Sequence, residues 1–569
     1  MLRTVPQTIN TEIDLYIRTY YSLLRSTEPF RIRSLEDSYS GTKASLHQQA
    51  DTPNPDIPAF TYAVARLPSC IHRIKTIILG QSDDVFAHRG GIDLTSWKRV
   101  FAAARRRKMY FDGTVRLASF ISSVSDIDDI IPVLTAFQIE WNKLHERFHG
   151  SEAAKQVQRA DAIDMELLGI IRRELELDDE SFERLCKAWE PSLLEFFRSL
   201  ASAPTDLRVH LLAGSLADYR QAVQSWWRGI AKESKVEAVA DRQVYFVSSN
   251  PHAIPNLLSG YAPSIEDELI GYLLAFNPEG LEDEWRQILK EADEGKRRNF
   301  LYYMQRYYIA ENQERWTAKR EAMAQRGIQS ITRTRYLDVG AQIIELNKLN
   351  PEDFDPRVRV PGLEKLKDST AIVINVDYPL GMAAYHLFSQ IAASVPAILG
   401  VYIMGKAASL NGRVGDVMVP NVVYDEHSKN TYLFRNCFAA ASVAPYLRHG
   451  TVFDNQKAVT VRGTLLQNHD FMDVFHREGY TDIEMEAGPY LSAVYEDIYP
   501  QRYPKDEIVN LFINTPFDIG VLHYASDTPY SRRQSLLSKT LGYFGVDATY
   551  ATSVAITRQI LATEVDRLK

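Results

Sequence analysis

The chain has 569 residues, 45% of them hydrophobic and 24% charged, and its 65 Lys and Arg against 73 Asp and Glu leave a net charge of −8. That is the composition of a globular protein with material for several domains, and the acidic balance excludes a general attraction to nucleic acid or to anionic membranes. Three cysteines, Cys70, Cys186 and Cys437, lie far apart without metal-ligand spacing, which fits buried thiols in a reducing compartment and no disulfide framework.

The first segment, MLRTVPQTINTEIDLYIRTYY, has no continuous apolar core, and no apolar run in the chain reaches the roughly 18 residues of a membrane span. The expected location is therefore cytoplasmic, with no membrane partner. Residues 1–240 read as a helical N-terminal domain. Ile13, Ile17, Tyr20 and Leu24 recur at spacings of three and four, as on one face of an amphipathic helix. Residues 38–58 are polar and end rich in Pro and Asp, so a loop is expected there. Leu134, Phe137, Trp141, Leu144 and Phe148 form a helical packing seam. Further helical patterns run through IDMELLGIIRREL and ESFERLCKAWEPSLLEFFRSL, the latter with Asp179 or Ser181 as its cap.

Near residue 241 the texture changes, and residues 241–569 read as a second domain. RQVYFVSSNP is a strand entering a loop. A charged helical insertion at about 262–330 follows, whose tyrosines suggest contact with another domain or subunit, and the sheet is expected to resume near TRYLDVG. From Thr370 strands and helices alternate: TAIVINV, GMAAYHLFSQIAAS, AILGVYIMG, GDVMVPNVVYD, KAVTVRG, FMDVFHREG, TDIEMEA, IVNLFIN and IGVLHYASD. Continuous apolar strands separated by helices imply an α/β fold with a mixed, mainly parallel sheet covered on both faces, which binds ligands beyond the carboxyl ends of its strands.

Four pieces sit at such strand ends. In AILGVYIMGKAASLNGRVGDVMVP a strand ends at Gly405, small residues follow, and Gly412 and Gly415 lead into the next strand. Small residues let a ligand approach backbone N–H groups, although the same spelling serves an ordinary turn. In TDIEMEAGPYL, Glu484 and Glu486 lie two apart at a strand end and so share a face, where a carboxylate can accept two hydrogen bonds from a vicinal diol; a solvated strand end is the other reading. Asp527, in Ser-Asp-Thr-Pro, is either a turn residue or a general acid held at a strand end. AIVINVDYPLGMAAYHL places a Gly turn at Gly381 before a small-residue helix start, a second place for N–H groups to meet an anion or simply a strand-to-helix turn.

Taken in order, VDYPLGMAAYHL, MGKAASLNGRVGDVMVP with Gly415-Asp416-Val417, IEMEAGPY and LHYASDTP resemble the nucleoside phosphorylase and nucleosidase superfamily over about Thr370–Leu561. The end, with IGVLHYASDTPY and a final helix DATYATSVAITRQIL, looks closest to AMP nucleosidases. The resemblance implies hydrolysis of the N-glycosidic bond of a purine nucleoside or nucleotide. Asp527 would protonate the purine N7, Glu486 would bind the ribose hydroxyls, Met485 would pack on the sugar, and Ser526 would hold Asp527 or the base. Gly405, Lys406 and Gly381 would complete the substrate site. No cofactor and no metal are implied, and a homo-oligomer is expected. The chain departs from the family in having Tyr402 and Lys406 where phosphorylases hold phosphate with an Arg, His523 where nucleosidases often carry Arg, and a longer segment, EDIYPQRYPKD, between the two carboxylates. A phosphate-dependent phosphorylase and a non-catalytic nucleotide-binding scaffold are the alternatives.

Two other signals carry less. His145-Glu146-Arg147-Phe148-His149 has the zinc-protease spelling, but Arg147 charges a position that is normally neutral and Gly150 ends the helix at once. The basic run from Trp97 to Lys108 is read as a solvated helix face.

Overall fold

The computed structural model describes residues 11–332, 334–512, 515–528 and 542–569. They form two compact units: one comprises the chain up to Ala222 with Arg335–Asp338 and Val461–Gly479, the other Val223–Thr334, Val339–Thr460 and Tyr480–Lys569.

The first unit is not all-helical. Its centre is the helix Val124–Phe148, which buries the whole seam of Leu134, Phe137, Trp141, Leu144 and Phe148. Phe60 stacks on Phe137 with ring centroids 5.6 Å apart, and Trp189 stacks on Phe196 at 4.5 Å. The helix Thr11–Leu24 presents Ile13, Ile17, Tyr20 and Leu24 to the same core. The helical pattern read over 180–200 breaks into Asp179–Ala188 and Leu193–Ser202 around Pro191, which cannot continue a helix. Its cap is Asp178, whose carboxylate accepts the Ser181 N–H at 2.7 Å, and not Asp179 or Ser181.

The same unit contains six strands, β1 (Phe30–Arg31), β2 (Thr76–Gly80), β3 (Lys98–Ala102), β4 (Arg105–Phe111), β5 (Arg116–Phe120) and β6 (Arg208–Leu211), in the order β1-β6-β2-β5-β4-β3. The basic run expected on a helix is the β3–β4 hairpin. Arg105 pairs with Asp129, and Arg107 Nε donates to Asp126 Oδ1 at 3.0 Å. A charge run thus becomes strand because long-range carboxylates neutralise its inward-facing members, while Lys98, Arg99 and Arg106 stay in solvent.

The second unit holds β7 (Val244–Ser249), β8 (Ile328–Ile331), β9 (Ala341–Glu345), β10 (Ile372–Asp377), β11 (Ile398–Ser409), β12 (Val417–Asp425), β13 (Thr431–Leu433), β14 (Val452–Thr460), β15 (Asp482–Glu484), β16 (Ile508–Asn510) and β17 (Asp518–Asp527). Their order is β16-β13-β12-β14-β15-β11-β7-β10-β9-β8, with β17 bridging β11 and β12. β10, β7, β11 and β17 run parallel, so their carboxyl ends share one edge. Both faces are covered, as the continuous apolar spelling demands. Phe246 packs edge-on to Phe388 and Tyr490, from the helices Met382–Ala392 and Ala487–Ile498. Tyr245 and Val247, pointing the other way, join the core built around the helix Gly545–Arg567.

β11 does not end at Gly405. It continues through Lys406, Ala407 and Ala408 to Ser409, because β17 pairs with it on one side and β15 on the other. The expected small-residue loop is a strand. Since β17 also pairs with β12, β12 with β14 and β14 with β15, the five strands β11, β17, β12, β14 and β15 close a ring.

Between β7 and β8 lie six α-helices, from Ala253 to Gln325. Tyr302, Tyr303 and Tyr308 there are buried inside this unit, Tyr302 stacking on Tyr550 at 4.9 Å. The sheet resumes at Ile328 and Ala341; Arg335–Asp338 of TRYLDVG belongs to the first unit. Among the described residues no helix is long and apolar enough to cross a membrane.

Gly520 shows how tightly β17 is seated. A Cβ there would run into the Phe438 ring and would lie 2.9 Å from Cys437 Sγ. Gly520→Ala should therefore lower stability by about 1–3 kcal/mol through overpacking, read as a fall in the urea midpoint with unchanged slope.

Candidate functional site

The end of β17 is fixed by the turn before β12. Gly415 has φ +93°, a left-handed conformation that favours glycine. Its N–H donates to the Ala525 carbonyl at 2.9 Å, and the Asp416 carbonyl accepts the Ala525 N–H at 2.8 Å. The Asp416 carboxylate rigidifies the turn by accepting N–H bonds from Arg413 at 2.7 Å and Thr451 at 2.8 Å. Both backbone groups of Ala525 are thus anchored just before Ser526 and Asp527. The register along β11 passes from Ala407↔Ala525 to Ala408↔Asp527, so Ser526 is the extra residue of a β-bulge. Its hydroxyl donates to Asp527 Oδ2 at 2.8 Å. Asp527 is half-buried.

On the other flank of β11, Ala408 pairs with Ile483 and Ser409 with Asp482. Asp527 and β15 therefore stand on opposite sides of one strand, roughly 10 Å apart across two strand spacings. The two glutamates part company here, contrary to the expectation that they share a face. Glu484 closes β15 and is buried. Its Oε2 accepts the N–H groups of Glu486 and Ala487 at 2.7 Å each, and its Oε1 accepts the Thr460 hydroxyl. Burial pushes the Glu484 carboxyl above the ordinary value, while His523, Thr460 and the two N–H groups work the other way. Glu486 has turned into helical backbone, with φ −118° and ψ −31°, at the start of Ala487–Ile498, and like Met485 it is half-buried. Gly488 lets the helix start press against β12, since a Cβ there would sit 2.6 Å from that of Asp425.

His523 lies between these parts. Its Nδ1 is 2.5 Å from Asp482 Oδ2, its Nε2 is 4.0 Å from Glu484 Oε2, and the side chain is buried. Burial disfavours a charged imidazole, but the Asp482 carboxylate, with Glu484 and Glu486 behind it, outweighs that and holds His523 above the ordinary histidine value. Gly405 pairs with His523 in register, and the exposed Lys406 pairs with Tyr524. Gly381, at φ 53° and ψ −121°, forms the turn beyond β10, two strands over from β11 on the same edge.

The structure thus places Gly405, Lys406, Ser526 and Asp527 on paired strands, brings the chain of Met485 and Glu486 to the far flank of β11, and sets Gly381 at a neighbouring strand end. Arg532 and Arg533 lie outside the described residues. Sequence reading missed Asp482 and Thr460. Asp482 was signalled only by its even spacing with Glu484, and Thr460 by nothing local. In the zinc-protease spelling, His145 Nδ1 is bonded to the Leu200 carbonyl at 2.6 Å, and His149 caps the helix with Nδ1 on the His145 carbonyl at 3.0 Å.

Residues 32–562 match the model of a family of unknown function, DUF6909, and the chain belongs to that family. No curated protein matches the chain. Among solved structures it is similar to a 5′-methylthioadenosine/S-adenosylhomocysteine nucleosidase from Neisseria meningitidis, at 10% identity and a TM-score of 0.27, covering 57% of this chain and 99% of that one. A nucleosidase of the same description from S. pneumoniae gives 10% identity and 0.27, covering 41% and 90%. A methylthioadenosine phosphorylase sourced from an antarctic soil metagenomic library gives 9% and 0.25, covering 34% and 72%.

If the Asp416 carboxylate anchors this strand end, Asp416→Ala leaves the Arg413 and Thr451 N–H groups without their acceptor. The expected cost is about 1–3 kcal/mol in chemical denaturation, and Asp416→Asn, which keeps an acceptor oxygen, should recover part of it.

Proposed function

We propose that the second unit hydrolyses the N-glycosidic bond of a purine nucleoside or nucleotide, with AMP the favoured substrate, releasing base and ribose or ribose phosphate. One observation carries the reading: Asp527, bonded by Ser526 at the carboxyl end of β17, lies across β11 from the strand that leads into Glu486, and the motifs follow the order of the nucleoside phosphorylase and nucleosidase superfamily. In this reading Asp527 donates a proton to the purine N7 as the bond to the ribosyl carbon lengthens, so the base leaves neutral. A carboxylic acid keeps that proton near neutral pH when the bound base excludes water from it. Glu486 accepts hydrogen bonds from the ribose 2′- and 3′-hydroxyls, and Met485 packs on the sugar. Gly405 gives the substrate close approach to β11, and the Gly381 turn supplies backbone N–H groups.

Water is the nucleophile in this reading. A phosphorylase must hold an inorganic anion on the ribose face opposite the base, which calls for clustered cationic donors. Residues 398–409 contain Lys406 as their one basic residue, a point charge and no bidentate clamp. A 5′-phosphate at the other end of the sugar would be held by Lys406, Arg532 or Arg533. The working state in this reading is a cytoplasmic homo-oligomer without cofactor.

A panel of nucleosides and nucleotides, with and without phosphate, tests the proposal. The expected products are free base with ribose or ribose 5-phosphate and no phosphate requirement. Accumulation of ribose 1-phosphate with strict phosphate dependence would establish the phosphorylase instead, and binding without base release would establish a nucleotide-binding scaffold. Asp527→Asn should lose at least about a hundredfold in kcat. Glu486→Gln should weaken binding and turnover of ribonucleosides more than of 2′-deoxynucleosides, which already lack one of the two hydroxyls.

A further inference from the structure

Inside the ring of strands, three buried groups are linked in series and end on the backbone that carries Glu486. The His523 Nδ1 is 2.5 Å from the carboxylate of Asp482, which fixes the ring's orientation. The opposite ring nitrogen, Nε2, has no hydrogen-bond partner among the described residues and faces Glu484 Oε2 at 4.0 Å. That same oxygen accepts the backbone N–H groups of Glu486 and Ala487, the first two of the helix start. We propose that Asp482, His523 and Glu484 form a positioning relay for the sugar-binding carboxylate, in which a cationic His523 keeps Glu484 an anion and Glu484 thereby holds Glu486 in place for the ribose hydroxyls. The inference rests on the role given to Glu486 under Proposed function.

The chemistry of the links makes the direction definite. An ionised carboxylate accepts N–H bonds about twice as strongly as a neutral acid. Glu484 is buried, and a buried anion persists only with a compensating charge. Among the influences that favour its ionised form, the charge of His523 is the largest, ahead of the Thr460 hydroxyl and the two N–H groups. When His523 gives up its proton, the cluster keeps two buried carboxylates and no cation. Glu484 is then driven to take up a proton, and the mount of Glu486 weakens.

Among the described residues, the groups around the ring offer no substitute cation in register. Asp482 and Glu484 face it from β15, and the charge of Glu486 reaches it from the helix start. β11 and β12 present Gly405 and Met418, neither of which titrates. Three acidic neighbours lift His523 above the ordinary histidine value, so the relay persists to higher pH than a free imidazole would allow and is released as the pH rises through the raised value. Folding linkage has the same sign. The stabilisation from a histidine raised in the folded state is complete below its ordinary value of 6.5 and is lost as pH rises through the raised one.

Two measurements on the full-length protein test this. In wild type labelled with 15N-histidine, the His523 ring, identified by its loss in His523→Gln, should titrate above the ordinary histidine value, and in Asp482→Asn its midpoint should fall. A His523 that stays neutral between pH 6 and 8 overturns the relay. This readout needs no substrate, so it stands even if no nucleoside is cleaved, an outcome that would refute the proposed function alone. Where cleavage occurs, His523→Gln should lower kcat/KM at least about tenfold for a ribonucleoside and little for its 2′-deoxy analogue. Asp482→Asn should move the alkaline limb of the ribonucleoside profile to lower pH, and His523→Arg, a cation that does not titrate, should restore activity and flatten that limb. Equal losses on both sugars, or an alkaline limb unmoved in Asp482→Asn, would overturn the proposal and leave His523 a packing residue.

Discussion

β11 is hydrogen-bonded on both flanks beyond Gly405, and the geometry of the second unit follows from that. A strand that ended at Gly405 would leave β15 without a partner on that side and β17 free to diverge. Because β11 continues to Ser409, its upper half is shared by β17 and β15, and the ring through β12 and β14 can close. Closure removes free edges and makes the spacing of its members rigid. The two candidate carboxylates are therefore held by the backbone ladder of one strand, and the side-chain devices around them serve to aim what the ladder has already spaced. The small residues at Ala407 and Ala408 fit this role. A strand crowded from both sides, with Ala407, Met418 and Ala525 packed together, has no room for bulk.

The second unit was largely legible in the sequence because its strands are buried on both faces. β10 read as an unbroken apolar run followed by a Gly turn and a helix with small residues at its start, and β7 as a short run rich in β-formers entering a loop. Gly405, Lys406, Ala407 and Ala408 were misread as a loop because small residues are as common in turns as on crowded strands, and only the partners 70 or more positions away decide between them. The first unit's sheet was missed for a related reason. β2, β5 and β6 span four or five residues each, too short for a periodicity to emerge, and the hairpin of β3 and β4 is spelled in arginines whose partners, Asp126 and Asp129, lie on a different element.

The candidate site was legible to the extent that it is local. Ser526 and Asp527 are adjacent, and Glu486 stands in a short acidic motif. Thr460 and Asp482 come into play only through pairings with Glu484 and His523, 24 and 41 positions away. Nor could alternation tell the roles of the two glutamates apart. The strand ends between them, so Glu484 is committed to the backbone N–H groups of the turn while Glu486 is left on the helix start.

The division of the chain has a consequence for its synthesis. The first unit takes most of its residues from the N-terminal stretch up to Ala222, but its core also contains Leu465 and Leu466, and its ion pairs include Arg462 with Asp128 at 3.0 Å. Those residues leave the ribosome some 240 residues after Ala222, on the order of 10–50 s later at ordinary elongation rates of about 5–20 residues per second. During that interval the nascent N-terminal portion carries a buried carboxylate without its cation and an apolar surface without its cover. The first unit is therefore complete only once residues 461–479 have been made, after most of the second unit's chain has already emerged.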